Sequence, residues 1–151
     1  MSMDGQRVLI IGTGLIGGSI ALALRRRGID VLLEDVDVEQ VKVAVARGAG
    51  RYLEQGDRPD IVIVAVPPHE AAATLAKASR AYPTATLTDV TSVKNPILQD
   101  AITAGADPIR LVGGHPMAGR EVSGVVAARE DLLDDRLWII TPLQESEAEH
   151  I

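Results

Sequence analysis

The chain has 151 residues and a formal charge of −6; 46% of it is apolar but only 2% aromatic, with no Phe and no Cys. That length suits one domain whose core is built from Val, Ile, Leu and Ala, as buried parallel sheets are. The scattered basic residues exclude a nucleic-acid stripe and the lack of Cys excludes a disulfide framework, while no apolar run or leader pattern predicts a membrane span or export, so a cytoplasmic protein is expected.

After a short lead, a strand from Arg7 to Ile11 runs into Gly12-Thr13-Gly14-Leu15-Ile16-Gly17. A helix carrying Ile16, Ile20, Ala23 and Leu24 on one face follows and ends at Gly28, with Arg25, Arg26 and Arg27 complementing its negative end. In such a strand-turn-helix unit the first glycine permits the turn, the second admits a pyrophosphate and the third lets helix and strand pack closely. Gly12, Gly14, Leu15, Ile16 and Gly17 are therefore candidate cofactor-binding residues.

The next strand, Asp30 to Asp35, ends in a carboxylate at the spacing of about 20 residues at which such proteins bind the adenosine ribose. Asp35 is the candidate, with Glu34 and Asp37 as competitors. No arginine immediately follows it to hold a 2′-phosphate, so NAD is expected rather than NADP. Asp37 and Gln40 predict a capping box for a helix with Val38, Val41 and Val45 on its apolar face, closed by Arg47-Gly48. A polar link through Gln55-Gly56-Asp57 leads to Ile61–Val66, apolar on both faces and stopped by Pro67-Pro68; Val66 and Pro67 thus stand at the carboxyl end of a central strand.

A helix over 69–81, a strand over Ala85–Val90 and the stretch Thr91-Ser92-Val93-Lys94 come next, with Asn95 expected to cap a helix whose first residue is Pro96. A strand over Ile109–Val112 leads into the small-residue loop Gly113 to Gly119, followed by a helix over 124–133 and a strand over Leu137–Ile140. Six strands alternating with helices predict an α/β fold of Rossmann type, a doubly wound, mostly parallel six-stranded sheet with parallel crossovers and helices on both faces.

Val66, Pro67, Thr91, Ser92 and His115 all follow strands on that fold and face one crevice with the glycine turn. His115 alone of the three histidines sits among small residues at a strand end, where an imidazole with a pKa near 6.5 suits a general base. Its bland alternative is a structural role. Ser92 is read as a partner of the imidazole or of a substrate hydroxyl, or as a local backbone partner; Lys94 as a counter-charge for substrate or cofactor, or as a surface residue. Neither a metal-ligand spacing nor the Gly-x-Ser-x-Gly elbow of hydrolases stands beside these loops.

Gly12 to Ser19, Val64-Ala65-Val66-Pro67-Pro68, Asp89-Val90-Thr91-Ser92-Val93-Lys94, Gly114-His115-Pro116-Met117-Ala118-Gly119 with Ser123-Gly124, and Trp138-Ile139-Ile140-Thr141-Pro142 together resemble prephenate dehydrogenases. Arogenate dehydrogenases share the motifs. The resemblance implies NAD-linked oxidative decarboxylation of prephenate to 4-hydroxyphenylpyruvate on the route to tyrosine. His115 would accept the C4 hydroxyl proton and Ser92 would position the histidine and the hydroxyl; Thr91, with Val66 and Pro67, is a candidate cofactor contact from its place in the crevice. The resemblance also implies a second, largely helical domain that forms the dimer and completes the substrate pocket. Residues 1–142 are expected to be the dinucleotide-binding domain and 143–151 an acidic tail or the start of that further domain. The competing expectations are a Rossmann-type dehydrogenase or imine reductase with another substrate, and a non-catalytic NAD-binding module.

Overall fold

In the computed structural model the described residues are 5–118 and 124–151; the lead at 1–4 and the motif positions Gly119 and Ser123 lie outside them. The elements run β1 (Arg7–Ile11), α1 (Leu15–Arg26), β2 (Asp30–Glu34), α2 (Val38–Ala46), β3 (Arg51–Tyr52), β4 (Ile61–Val64), α3 (Pro68–Ala81), β5 (Thr86–Asp89), α4 (Asn95–Thr103), β6 (Leu111–Pro116) and β7 (Trp138–Pro142). Single 3-10 turns stand at Pro108–Arg110, Val125–Ala127 and Ala148–His150.

The two-residue period of a strand sorts the core onto two faces. Leu9, Leu32, Val62, Val64, Leu87 and Leu111 point to one side, where Leu75, Ile97 and Leu98 of α3 and α4 cover them. Val8, Ile10, Val31, Leu33 and Ile63 point to the other and meet Ile20 and Val41 of α1 and α2. The sheet order is β3-β2-β1-β4-β5-β6-β7, so the direction of winding reverses between β1 and β4. A crevice opens beyond the carboxyl ends of the strands at such a reversal.

Among the described residues the sheet has seven strands rather than six. The additional one is β3, whose Arg51 and Tyr52 pair with Leu32 and Leu33 in a stretch that reads as a polar link. Its hold is electrostatic as well as by ladder: Arg51 reaches Asp30 at 3.2 Å and Asp57 at 2.9 Å. The last strand also departs from the expected parallel crossovers, because β7 pairs antiparallel with β6, placing Ile139 opposite His115 and Ile140 opposite Gly114. Pairing with β7 carries β6 on to Pro116, so Gly113 and His115 lie in a strand that had been expected to end at Val112. At its other end, Pro108–Arg110 forms a 3-10 turn capped by Asp107 instead of strand.

The helix expected over 124–133 is a single 3-10 turn at Val125–Ala127. Side chains from α1, from α2 and from Arg47 just past α2 take the backbone groups that a longer helix would use. The Arg47 guanidinium donates to the carbonyls of Val125 and Ala128, Gln40 Oε1 accepts from Val125 N at 3.0 Å, and Ser19 Oγ accepts from Arg129 N at 2.9 Å. Gln40 is thus spent on this strap, and Asp37 caps α2 alone by accepting from Glu39 N at 3.0 Å. In α4 the helix begins one residue early, with Asn95 inside it and Lys94 at the cap position, so Asn95 makes no side-chain cap. Gly28, at φ +78°, ends α1 as expected.

Residues 143–151 run against the starts of β5 and β6. Ser146 Oγ donates to Leu111 O at 2.8 Å, Glu147 N to Ile109 O at 3.0 Å, and His150 Nδ1 lies 2.6 Å from Thr86 Oγ1. Among the described residues, no helix is long and apolar enough to cross a membrane.

Candidate active site

Beyond the carboxyl ends of β1, β2 and β4 lies a cavity of about 780 Å³. The glycine turn forms its floor. Gly12 has φ +98°, and a Cβ there would stand 2.5 Å from Ala65 O; a Cβ on Gly17 would stand 1.8 Å from Gly12 O. Those two positions are closed to any side chain by backbone. Gly14 is the opposite case, since a Cβ on it would meet nothing within 4 Å and the residue lines the cavity. Its bareness leaves open space that a ligand can enter.

α1 starts from this turn with Gly14 as its cap, no side-chain cap and no acidic residue in its first turn. Among the described residues no side chain caps its first-turn amides, and Leu15 and Ile16 bring them to the cavity wall. This is the setting in which helices bind phosphate groups. Gly17 is not on the wall; its part is the close packing of helix on strand.

Asp35 lines the cavity just past β2, beside Glu34 and the exposed Val36. Its Oδ2 accepts from Thr13 N at 2.7 Å and Thr13 Oγ1 at 3.1 Å, and its Oδ1 from Asp37 N at 2.8 Å. The carboxylate thus ties the glycine turn to the end of β2. Val66 and Pro67 form the wall past β4, which ends at Val64 once Ala65 N has bonded to Ile11 O at 2.7 Å.

On the far side stand Thr91, Ser92 and His115. Ser92 is exposed and His115 half-buried; among the described residues no hydrogen bond joins the two. Thr91 is buried, its hydroxyl donating to Asp89 with Val93 O standing 3.1 Å away. His115 also lines a second, smaller cavity of about 290 Å³ with Met117, Leu132 and Arg136. It therefore stands on the wall between two spaces, one floored by the glycine turn and one bearing a guanidinium. Lys94 lines neither cavity, because its ammonium is taken by Asp89 and Gly114 O.

Several wall residues were not read from the sequence. Glu70, Thr74 and Ala78 of α3, with Tyr82 at its C-terminal cap, line the cavity. Their four-residue spacing was the available signal, since it puts all four on one helix face. Burial pushes the Tyr82 phenol above its usual pKa, helped by Glu34 and Asp57. One group with metal-ligand proximity occurs among the described residues, Glu147, Glu149 and His150 on the tail, where both carboxylates are exposed.

A family model described as prephenate dehydrogenase, nucleotide-binding domain, matches residues 20–151. A probable prephenate dehydrogenase of Streptomyces niveus is 40% identical over 95% of this chain, and the prephenate dehydrogenase of Bacillus subtilis 32% identical over all of it. The chain spans 40% and 43% of the lengths of these two relatives. Among solved structures, the prephenate dehydrogenase of Aquifex aeolicus, in complex with hydroxyphenyl propionate and NAD+, superposes with a TM-score of 0.87 at 31% identity. That match covers 99% of this chain and 55% of the other. The Synechocystis arogenate dehydrogenase gives 0.85 at 31% identity, over 95% of this chain and 52% of that one. By sequence and by fold, the chain belongs to the family of prephenate dehydrogenase nucleotide-binding domains.

Proposed function

We propose that this chain is the cofactor half of an NAD-dependent dehydrogenase that converts prephenate to 4-hydroxyphenylpyruvate and CO2. The carrying observation is that Gly14, the first turn of α1, Asp35 and His115 line one cavity at the reversal point of the sheet. When bound, NAD+ accepts the hydride from C4 of the substrate. The uncapped start of α1 holds the pyrophosphate, Asp35 accepts from the adenosine ribose, and Val66, Pro67 and Thr91 shape the wall toward His115. His115 takes the proton of the C4 hydroxyl as the hydride leaves, with Ser92 orienting the hydroxyl and the imidazole. Loss of the ring carboxylate then makes the ring aromatic, so the chemistry supplies its own driving force and the protein supplies orientation and a base.

Arg136, beside His115 in the smaller cavity, suits a substrate that carries carboxylates. Arogenate is the second reading, favoured by the equally similar Synechocystis structure. The proposal includes a further helical domain that completes the substrate pocket and forms a dimer, and a cytoplasmic location. Calorimetric titration of the chain with NAD+ tests its core. Binding that weakens in Asp35→Ala is expected; a folded chain that does not bind NAD+ would overturn the reading.

A further inference from the structure

Asp89 ends β5 with its carboxylate fully buried, and four donors converge on it. Thr91 N lies at 3.1 Å and Gly114 N at 3.2 Å, joined by the Thr91 hydroxyl and the Lys94 ammonium. Lys94, whose side chain is 13% exposed, also donates to Gly114 O at 2.6 Å. Both main-chain polar groups of Gly114 are therefore held by one ion pair. The residue that follows Gly114 is His115.

The pair works where the sheet gives out. The register of β5 with β6 runs only through Leu87 opposite Leu111 and Thr88 opposite Val112, short of Gly114. Two glycines make room for the substitute. A Cβ on Gly113 would stand 3.1 Å from Lys94 Cδ, and one on Gly114 2.6 Å from Asp89 O and 2.9 Å from Trp138 Nε1. A buried ion pair of this kind is a poor source of stability, because well-packed apolar residues would do as well. What apolar residues cannot do is accept from an N–H and donate to a C=O of the same residue.

We infer that Asp89 and Lys94 are a positioning pair, which fixes the Gly114 peptides and through them the station of His115 between the two cavities. The inference rests on His115 being the base, and it assigns Lys94 a role apart from any counter-charge to ligand. Burial pushes the Lys94 pKa down, and Asp89 opposes the shift.

Hydrogen exchange and imidazole NMR of the chain test this, with Lys94→Met and with Asp89→Asn and Lys94→Met combined. The single variant leaves a buried carboxylate without its cation and is at risk of unfolding; the combined one buries no charge. In the folded variant the Gly114 amide is expected to exchange about tenfold faster or more, the loss of one hydrogen bond to a charged group. The His115 ring signals shift and the Leu9 amide of β1 keeps its protection. Unchanged Gly114 exchange and His115 signals in the folded combined variant would overturn the inference. So would a loss of protection spread evenly to Leu9. His115→Asn separates this from the base reading, since it removes the base and leaves Gly114 protection as it was.

Discussion

Gly14 and Gly17 belong to one turn, yet alanine should do opposite things at the two positions. At Gly14 the backbone is at φ −76° and ψ −152°, which an L residue adopts, and a Cβ meets nothing within 4 Å. The chain should fold with its stability unchanged or raised by about 0.4–1 kcal/mol, through the smaller freedom of the unfolded state. On the proposed function, that methyl group would stand in the space through which the pyrophosphate reaches the start of α1. Losing even one charge-assisted hydrogen bond there costs about 1.5–3 kcal/mol, or roughly 10- to 150-fold in NAD+ affinity. At Gly17 the Cβ would fall 1.8 Å from Gly12 O and 3.1 Å from the Ala65 Cβ, so α1 must lift off the strand. Overpacking of that kind costs about 1–3 kcal/mol or more, and a chain of this length loses about 2–4 °C in Tm for each kcal/mol. Calorimetry and thermal unfolding on both variants give the answer. Gly14→Ala binding NAD+ as the wild type does, with Tm intact, would refute the placement of the pyrophosphate at the turn.

Acid should weaken the β2–β3 edge through Arg51. Its guanidinium holds the Asp57 carboxyl at about 2 and lowers Asp30 below the ordinary carboxylate range. Because these folded-state values lie below the unfolded ones, their contribution is full above about pH 4 and drains as the pH falls toward 2. Arg51→Met should flatten the fall in Tm across that window, and an unaltered acid profile would count against the network. Leu87→Ala opens a fully buried site in β5 and should cost about 2–5 kcal/mol, a Tm drop of roughly 4–20 °C. A drop under about 2 °C would show that the sheet can close over the gap. In a chimera joining this chain to the remaining part of the Bacillus subtilis relative, His115→Asn should slow turnover about 10²- to 10⁴-fold with NAD+ affinity unchanged. Equal turnover would remove His115 from the chemistry.

The first half of the fold was legible because its signals are local. The Val8–Ile11 run, the glycine turn, Asp37 and Gly28 each state their conformation within a few residues, and β1, α1, β2 and α2 follow them. β3 was not legible, since Arg51 gains its place from Asp30 on β2 and Asp57 beyond β3, and Tyr52 from its pairing with Leu33, rather than from an apolar run. The strap at 124–136 was misread for a related reason. Val125 and Ala128 do have helical spacing, but Arg47, Gln40 and Ser19 from distant positions claim the backbone groups around them. In the site, Val66, Pro67, Thr91 and Ser92 were legible as residues that follow strands, whereas His115 reaches the wall from within β6. The partnership of Lys94 was not legible, because nothing in the spacing of Thr91 to Asn95 tells whether an ammonium turns outward to a ligand or inward to Asp89.

With the ribose placed at Asp35 as proposed, cofactor choice should follow from the acceptor count of that carboxylate. A carboxylate offers about four acceptor sites, and three are taken by Thr13 N, Thr13 Oγ1 and Asp37 N. What remains suits a hydroxyl donor. A 2′-phosphate brings no such donor and about −1.5 to −2 charges. At 4 Å and an effective dielectric of 20, each pair of unit charges repels by about 4 kcal/mol, and Glu34 stands on the same wall. Lys77, exposed on α3 at the cavity, offsets part of this. A preference for NAD+ over NADP+ of at least about 10²-fold should survive, equivalent to roughly 2.7 kcal/mol. Asp35→Ala should do more than weaken NAD+, because it releases the Thr13 and Asp37 amides as donors toward the same space. NADP+ should then bind measurably, and the ratio of the two Kd values should contract. A wild-type chain that binds NADP+ as tightly as NAD+ would mean that the ribose does not lie against Asp35.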